Sequence, residues 1–468
     1  MKLSKTLLVL ALAVAVAAPA YAQTQNVKIS GSIDAYGFYR NNYDLRKNDS
    51  GQVAAGTAVQ GADHAASAVH RSDADSYFRT NTQLQVAADL SDNVSTVVSV
   101  VNQRDWNADL VGATTANTTE EFDLGLDLAY VQMKEIFYSP LTLTVGRQDI
   151  WLGRGFLTGN NSAAWDPQAT TIADEYSVTT AFDAIRATLD FNPWTVDLVY
   201  SKVNENSHDP EDDRDLYVAY LTYKFSQHNA VADLYWMDDA DGGRAGIVGT
   251  NSGIETTYVF GGRLQFDPIS QLTLGAELAY QFGDYAQSTG AAKRDRAAWG
   301  LDVFGTYRLE DAWKSEVTLE FVSLSGDDGR NTSGEYQGWN SLYRGKFWTA
   351  IEDFREVVFA TGDANDQAGS TNVEMIQLKG TIKPLNDLAL DGVLSFFWNE
   401  EGIATGGVGG STRSKDIGWE TDLVATYDYT EDVSFGLLAG WFIPGDSYSG
   451  GGNDATATDL VSSMKVSF

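Results

Sequence analysis

The chain has no cysteine, and only eight prolines and four histidines among its 468 residues. Without cysteine there is no disulfide scaffold. It also lacks any run of the roughly 20 apolar residues that a membrane-crossing helix needs. Basic residues are few, 32 against 64 acidic ones, for a formal net charge of −32. That balance speaks against nucleic acid as a partner, which would call for a basic face, although it says little about fold. Catalytic signatures are missing as well: no nucleophile elbow, zinc spacing or phosphate loop occurs. His70-Arg71-Ser72-Asp73 holds triad residue types, but adjacency in sequence is not triad geometry. His64 shares the predicted loop 41–75 with His70, while His208 falls in another predicted loop and His228 in a tight turn. The acidic stretches Asp238–Gly243, Asp209–Asp215 and Asp327–Gly329 do not complete a twelve-residue calcium loop. Neither an enzyme nor a bound cofactor or metal is expected.

Aromatics make up 12% of the residues and glycine is abundant, with 44. The N-terminus reads as a secretory leader over 1–22: Lys2 and Lys5, an apolar stretch from Leu7 to Ala17, then Ala20-Tyr21-Ala22 as a small-x-small cleavage site. Residues 23–468 are the expected mature chain, with Gln23 first and a formal charge of −34 once the two lysines are gone. An exported chain without a spanning helix either stays in the periplasm or crosses a membrane as strands. Only helices and closed barrels satisfy every backbone polar group in lipid.

Alternation of apolar and polar residues favours strands. Segments fall near 27–40, 76–90, 94–106, 121–136, 141–151, 180–191, 194–204, 214–225, 230–238, 254–267, 271–284, 297–309, 314–325, 372–383, 387–399, 416–428, 432–443 and 457–468. In the eleventh, Leu272, Leu274, Ala276, Leu278 and Tyr280 oppose Thr273, Glu277 and Gln281. The third and eighth carry apolar residues on both faces. Links after even-numbered segments are tight, such as Ser91-Asp92-Asn93 and Pro384-Leu385-Asn386, while 41–75, 153–179 and 326–371 are long. A membrane barrel with short periplasmic turns and long extracellular loops keeps that parity. The expected fold is therefore an all-β, antiparallel up-and-down transmembrane barrel of about eighteen strands.

The final run from Leu460 to Phe468 alternates and ends on an aromatic, which resembles the C-terminal signal of bacterial outer-membrane barrels. Three further stretches resemble the alginate-export family of outer-membrane porins. They are Thr144-Val145-Gly146-Arg147-Gln148, Ala181-Phe182-Asp183-Ala184-Ile185-Arg186, and Gly418 to Tyr427 followed by Phe442-Ile443-Pro444-Gly445-Asp446. The resemblance implies a passive, secretion-linked pore for an anionic polysaccharide, with a basic constriction. It also implies a Gram-negative outer membrane, with lipid and lipopolysaccharide around the barrel and the barrel-assembly machinery engaging the strand that ends in Phe468.

Alternation places Lys28, Arg79, Arg186, Arg263, Arg308, Lys379 and Lys465 toward the lumen. Carboxylates there are more numerous, among them Asp127, Asp197, Glu255, Glu277, Asp302, Glu320, Asp391, Glu420 and Asp422. Candidates for pore lining and selectivity are Arg79, Arg147, Arg186, Arg263, Arg308, Glu255, Glu277 and Asp391. Guanidinium groups bind carboxylates bidentately, but an Arg–Asp ladder bracing the wall needs the same residues. Strict alternation sends Arg147 to the lipid face, so its pore role requires a bulge. The link 326–371 carries Trp339, Tyr343, Arg344, Phe347, Trp348 and Arg355. So many aromatics need packing, which predicts a loop folded into the barrel mouth, its rings offered to sugars. The expected function is passive diffusion of a polysaccharide or small charged solute. A general or cation-preferring porin, and a structural or adhesion barrel binding a surface partner, remain as alternatives.

Overall fold

Each predicted segment becomes one strand. In the computed structural model the described residues are 26–42, 45, 74–106, 124–138, 140–161, 176–205, 213–242, 255–285, 294–327, 334–353, 371–404, 413–449 and 454–468. The predicted leader, His64, His70, His208 and Arg355 lie outside them. The strands are β1 (Asn26–Asn41), β2 (Ala74–Ser91), β3 (Val94–Asp105), β4 (Gly125–Met133), β5 (Leu141–Gln148), β6 (Phe182–Asp190), β7 (Trp194–Asn204), β8 (Arg214–Lys224) and β9 (Val231–Asp241). There follow β10 (Glu255–Ile269), β11 (Leu272–Tyr285), β12 (Arg294–Arg308), β13 (Glu316–Leu324), β14 (Val373–Leu385), β15 (Leu388–Ala404), β16 (Arg413–Asp428), β17 (Val433–Pro444) and β18 (Ala457–Ser467). The largest shifts from expectation are β4, shorter than 121–136, and β15, which runs past 399.

Every strand pairs antiparallel with its sequence neighbours, and β1 also pairs with β18, from Ser32↔Ser467 to Asn41↔Thr458. The eighteen-stranded sheet is thus a closed barrel with no free edge. At the seam Gly31 and Phe468 exchange both backbone hydrogen bonds, at 2.9 and 3.0 Å. Links after even-numbered strands span at most seven residues and those after odd-numbered strands eight or more.

Period-two alternation sorts the faces. Outward residues include Leu264, Leu278, Leu319, Leu378, Leu423 and Leu437, all exposed; Leu278 keeps 56% of its surface. Aromatics crowd both ends of this outer band. Phe191, Trp194, Phe225, Trp313 and Tyr429 lie at the turn end, with Trp236, Tyr280, Trp299 and Trp419 toward the loop end. An apolar band between two aromatic girdles is the outer surface of a membrane barrel. No described helix is long and apolar enough to cross a membrane.

The inner face is not uniform. Toward the loop end it carries Leu216, Val218, Met237, Val259, Ala279, Ala298, Val322, Val373, Met375 and Phe397, all buried in one cluster. Ile150, Leu152, Phe156 and Leu157, from the link after β5, join that cluster. So do Trp339, Leu342, Tyr343, Trp348 and Ile351, from the link after β13. Two loops therefore fold into the barrel and make a hydrophobic core inside it. Toward the turn end the same face is mostly polar: Thr273, Gln265, Thr306, Arg308, Thr318, Glu316, Lys379, Thr381 and Asp391.

Candidate functional site: a polar belt and two inward loops

Backbone register aligns a transverse row of lumen-facing groups where these two halves meet. Thr222 pairs with Asp233, Asp233 with Arg263, Arg263 with Glu277 and Glu277 with Asp302. Displaced by two residues across β12–β13, the row continues as Glu320, Gln377, Ser395 and Glu420. Several groups of this row bond to one another or to their wall neighbours. Arg263 Nε donates to Asp233 at 2.5 Å, Thr222 Oγ1 to the same carboxylate at 2.8 Å, and Tyr235 Oη to Glu277 at 2.9 Å. Gln377 Nε2 donates to Ser395 Oγ at 3.0 Å and to the Trp348 carbonyl at 2.8 Å.

The two loops deliver cations to the middle of this row. Arg154 donates to Asp302 at 3.0 Å and to Glu320 at 3.2 Å, with its guanidinium 3.6 Å from the Phe304 ring centroid. Lys346 donates to Asp302 at 3.1 Å and also to Glu320. The side chains of Arg154 and Lys346 stay 20% and 15% exposed, while those of Asp302 and Glu320 are almost wholly buried. Two cations thus face two carboxylates, with the cations on the open side.

The loops reach this depth together because their backbones bond to each other. Tyr343 N donates to the Leu157 carbonyl at 3.0 Å, and Gly345 N and Lys346 N to the Gly155 carbonyl at 2.9 and 3.1 Å. A Cβ on Gly159 would sit 2.8 Å from Gly345 Cα, and one on Gly345 would sit 2.7 Å from Gly159 Cα, so only glycine permits the approach. The loop end is fixed to the wall. Tyr343 Oη donates to Asp239 at 2.6 Å, and burial pushes this phenol well above its ordinary pKa. Ile351 N and Glu352 N donate to the buried Glu420 carboxylate at 2.7 and 2.8 Å. Arg344 pairs with Asp353 at 2.9 Å, and Asp353 also accepts from Trp348 N.

The expected site residues divide by place. Glu277 and Arg263 are in the row. Arg186 donates to Asp197 at 2.8 Å, Arg79 binds Asp105 through two bonds of 2.7 and 3.0 Å, and Glu255 accepts from Arg296 at 2.6 Å. Arg308 meets Glu316 at 3.1 Å near the turns, and Asp391 accepts from Thr381 at 2.5 Å. All seven face the lumen, each already bonded to the wall. Arg147 does not: β4–β5–β6 pair without a register shift, so it keeps the outward parity of Val145 and pairs with outward Asp183 at 3.2 Å. Trp339, Tyr343, Arg344 and Trp348 are inside, as inward folding requires, but buried rather than offered to a solute; Trp339 keeps 1% of its surface. Phe347 lies 5.0 Å from the Arg344 guanidinium.

Sequence reasoning singled out neither Arg154 nor Lys346. The available signal was Gly153-Arg154-Gly155 between Trp151 and Phe156, a cation hinged by glycines inside an aromatic stretch. No cluster able to hold a metal ion occurs among the described residues.

A closed barrel with inward loops and a polar waist is the build of an outer-membrane channel. The sequence model for alginate export matches residues 56–461, and the chain belongs to that family. No curated protein matches it in sequence. Among solved structures it is similar to the outer membrane protein OpdK of Pseudomonas aeruginosa, with TM-score 0.54 and 12% identity over 95% of this chain and 100% of that one. OccK5 (OpdH) of the same organism gives 0.51 and 13%, over 94% and 98%. OccK2 (OpdF), solved in complex with glucuronate, gives 0.52 and 13%, over 95% and 97%. At these identities the likeness concerns the fold.

Proposed function

We propose that this barrel is a passive channel for carboxylated sugars, either uronate units or a polyuronate chain, moving down a gradient through the lumen. The observation that carries this reading is the pairing of Arg154 and Lys346 with Asp302 and Glu320. Two cations from separate loops stand at the open side of two buried carboxylates. A solute carboxylate arriving at the waist offers each cation a replacement partner, so a bond to the wall is exchanged for a bond to the cargo at small net change. Family membership and the glucuronate bound to OccK2 point to the same chemical class. No energy source is needed. The leader ending at Ala22 and engagement of the assembly machinery by the Phe468 strand belong to the same reading; N-terminal sequencing of membrane-extracted protein should begin at Gln23.

A second reading is a cation-preferring small-solute porin, favoured by the excess of lumen carboxylates. Planar-bilayer recording separates the two. The channel should conduct steadily and be blocked by short oligouronates, with block weakened about tenfold in Arg154→Ala, the loss of one charge-assisted hydrogen bond. Cation-selective conductance indifferent to uronates would establish the second reading. A silent barrel would leave structure or adhesion as its role.

A further inference from the structure

Among the described residues of the inward loops, Trp151 is the exposed aromatic. Its backbone follows Ile150, which is buried in the internal core, yet the indole keeps 52% of its surface open. One side of the ring is bedded on glycine. Ideal Cβ atoms on Gly155, Gly159 and Gly345 would lie 2.5, 2.7 and 2.6 Å from Trp151 ring carbons. Any side chain at those three positions would push the indole off its seat. The bed comes from both loops and is tied by the Gly345–Gly155 and Gly159–Tyr343 backbone bonds. A broad apolar ring is therefore held flat by backbone, where a flexible side-chain support would let it turn. The cations of the waist adjoin the bed in sequence, since Arg154 precedes Gly155 and Lys346 follows Gly345.

Burying this face would have been easy, because Phe156, Trp339, Tyr343 and Trp348 of the same loops are all in the core. An open indole on a rigid seat whose glycines adjoin two cations in the chain matches a ring with one apolar C–H face and a carboxylate at its edge. A uronate pyranose has that shape, with a carboxylate at the edge of one apolar face. We propose that Trp151 is a stacking platform for the pyranose ring of a sugar acid passing the waist. This rests on the channel reading above and assigns it a contact for the ring in addition to the contacts for the charge.

Single-channel recording with a short oligouronate and with a neutral oligosaccharide of equal length tests it. Trp151→Leu keeps apolar volume but removes the ring, and should shorten the dwell of both sugars about three- to tenfold, the size of one aromatic contact. Trp151→Phe should restore most of the dwell. Arg154→Ala should shorten the oligouronate dwell alone. Equal dwell in wild type and Trp151→Leu, with Arg154→Ala still weakening the oligouronate, overturns the platform and leaves the channel reading standing. Absence of sugar-dependent dwell in the wild type, with salt conductance intact, overturns both. A Trp151→Leu effect that Trp151→Phe fails to restore also overturns the platform, because loop packing would then be the cause.

Discussion

The loop half and the turn half of the barrel share strands, register and alternation, yet their inner faces obey different rules. In β8 the inward positions run Leu216, Val218 and Tyr220 from the loop end, then Thr222 and Lys224. In β13 they run Leu324 and Val322, then Glu320, Thr318 and Glu316. The change occurs at the row containing Asp233, Arg263, Glu277, Asp302, Glu320 and Glu420. On one side the wall packs against protein and behaves as a domain core; on the other it lines a polar space and spaces its charges. A membrane barrel can thus carry an ordinary hydrophobic core, provided loops supply the second layer.

The sharpest way to break this contrast is in the loop half. Trp339→Ala should cost about 3–5 kcal/mol, the usual range for a buried tryptophan, and raise conductance as the loops loosen. Denaturant unfolding in detergent and bilayer recording read the two effects. On the outer surface, Leu278→Arg should cost about 2–4 kcal/mol near the bilayer midplane, whereas polar changes at turn-half lumen positions should not; reversible unfolding into lipid vesicles compares them. Glu420→Ala leaves the Ile351 and Glu352 amides without their acceptor, for about 1–3 kcal/mol, and proteolysis of the 334–353 loop should accelerate.

The Tyr343 phenol sharpens the comparison through pH. Its folded-state pKa is raised, so its contribution is fully present below the unfolded value near 10 and is lost as pH rises beyond it. Alkaline pH should open the loop half in the wild type, and Tyr343→Phe should lack that Tyr343-dependent step in conductance. Smallest is Arg308→Ala at the turn end. This half-exposed pair with Glu316 should change unfolding by less than about 1 kcal/mol, while reversal potentials shift toward cations.

Alternation alone made the strands and their faces legible, because lipid on one side and polar groups on the other impose period two. Where that contrast failed in the eighth segment, the structure supplies the reason. The eighth segment is apolar on both faces because Leu216 and Val218 meet Ile150, Leu152 and Met237 in the internal core. Inward folding of 334–353 was also legible, since its aromatics needed a place to be buried. The waist was not. Arg154, Lys346, Asp302 and Glu320 come from four stretches of chain, and neither loop shows a period that would predict its depth. Arg147 was misleading for the opposite reason: its family-like setting suggested the lumen, while parity had already sent it outward.

The seam between β1 and β18 bears on the order of assembly. Every other strand pair joins sequence neighbours and can form as a hairpin, whereas Gly31 and Phe468 are more than four hundred residues apart. Chain-closure entropy grows only logarithmically, so uniting these ends costs about 3 kcal/mol more than closing a link of some fifteen residues. The ladder of hydrogen bonds along Ser32–Asn41 outweighs that. Closure is therefore energetically modest but must come last, which makes the time a half-built sheet spends with two raw edges the hazardous interval in this protein's life.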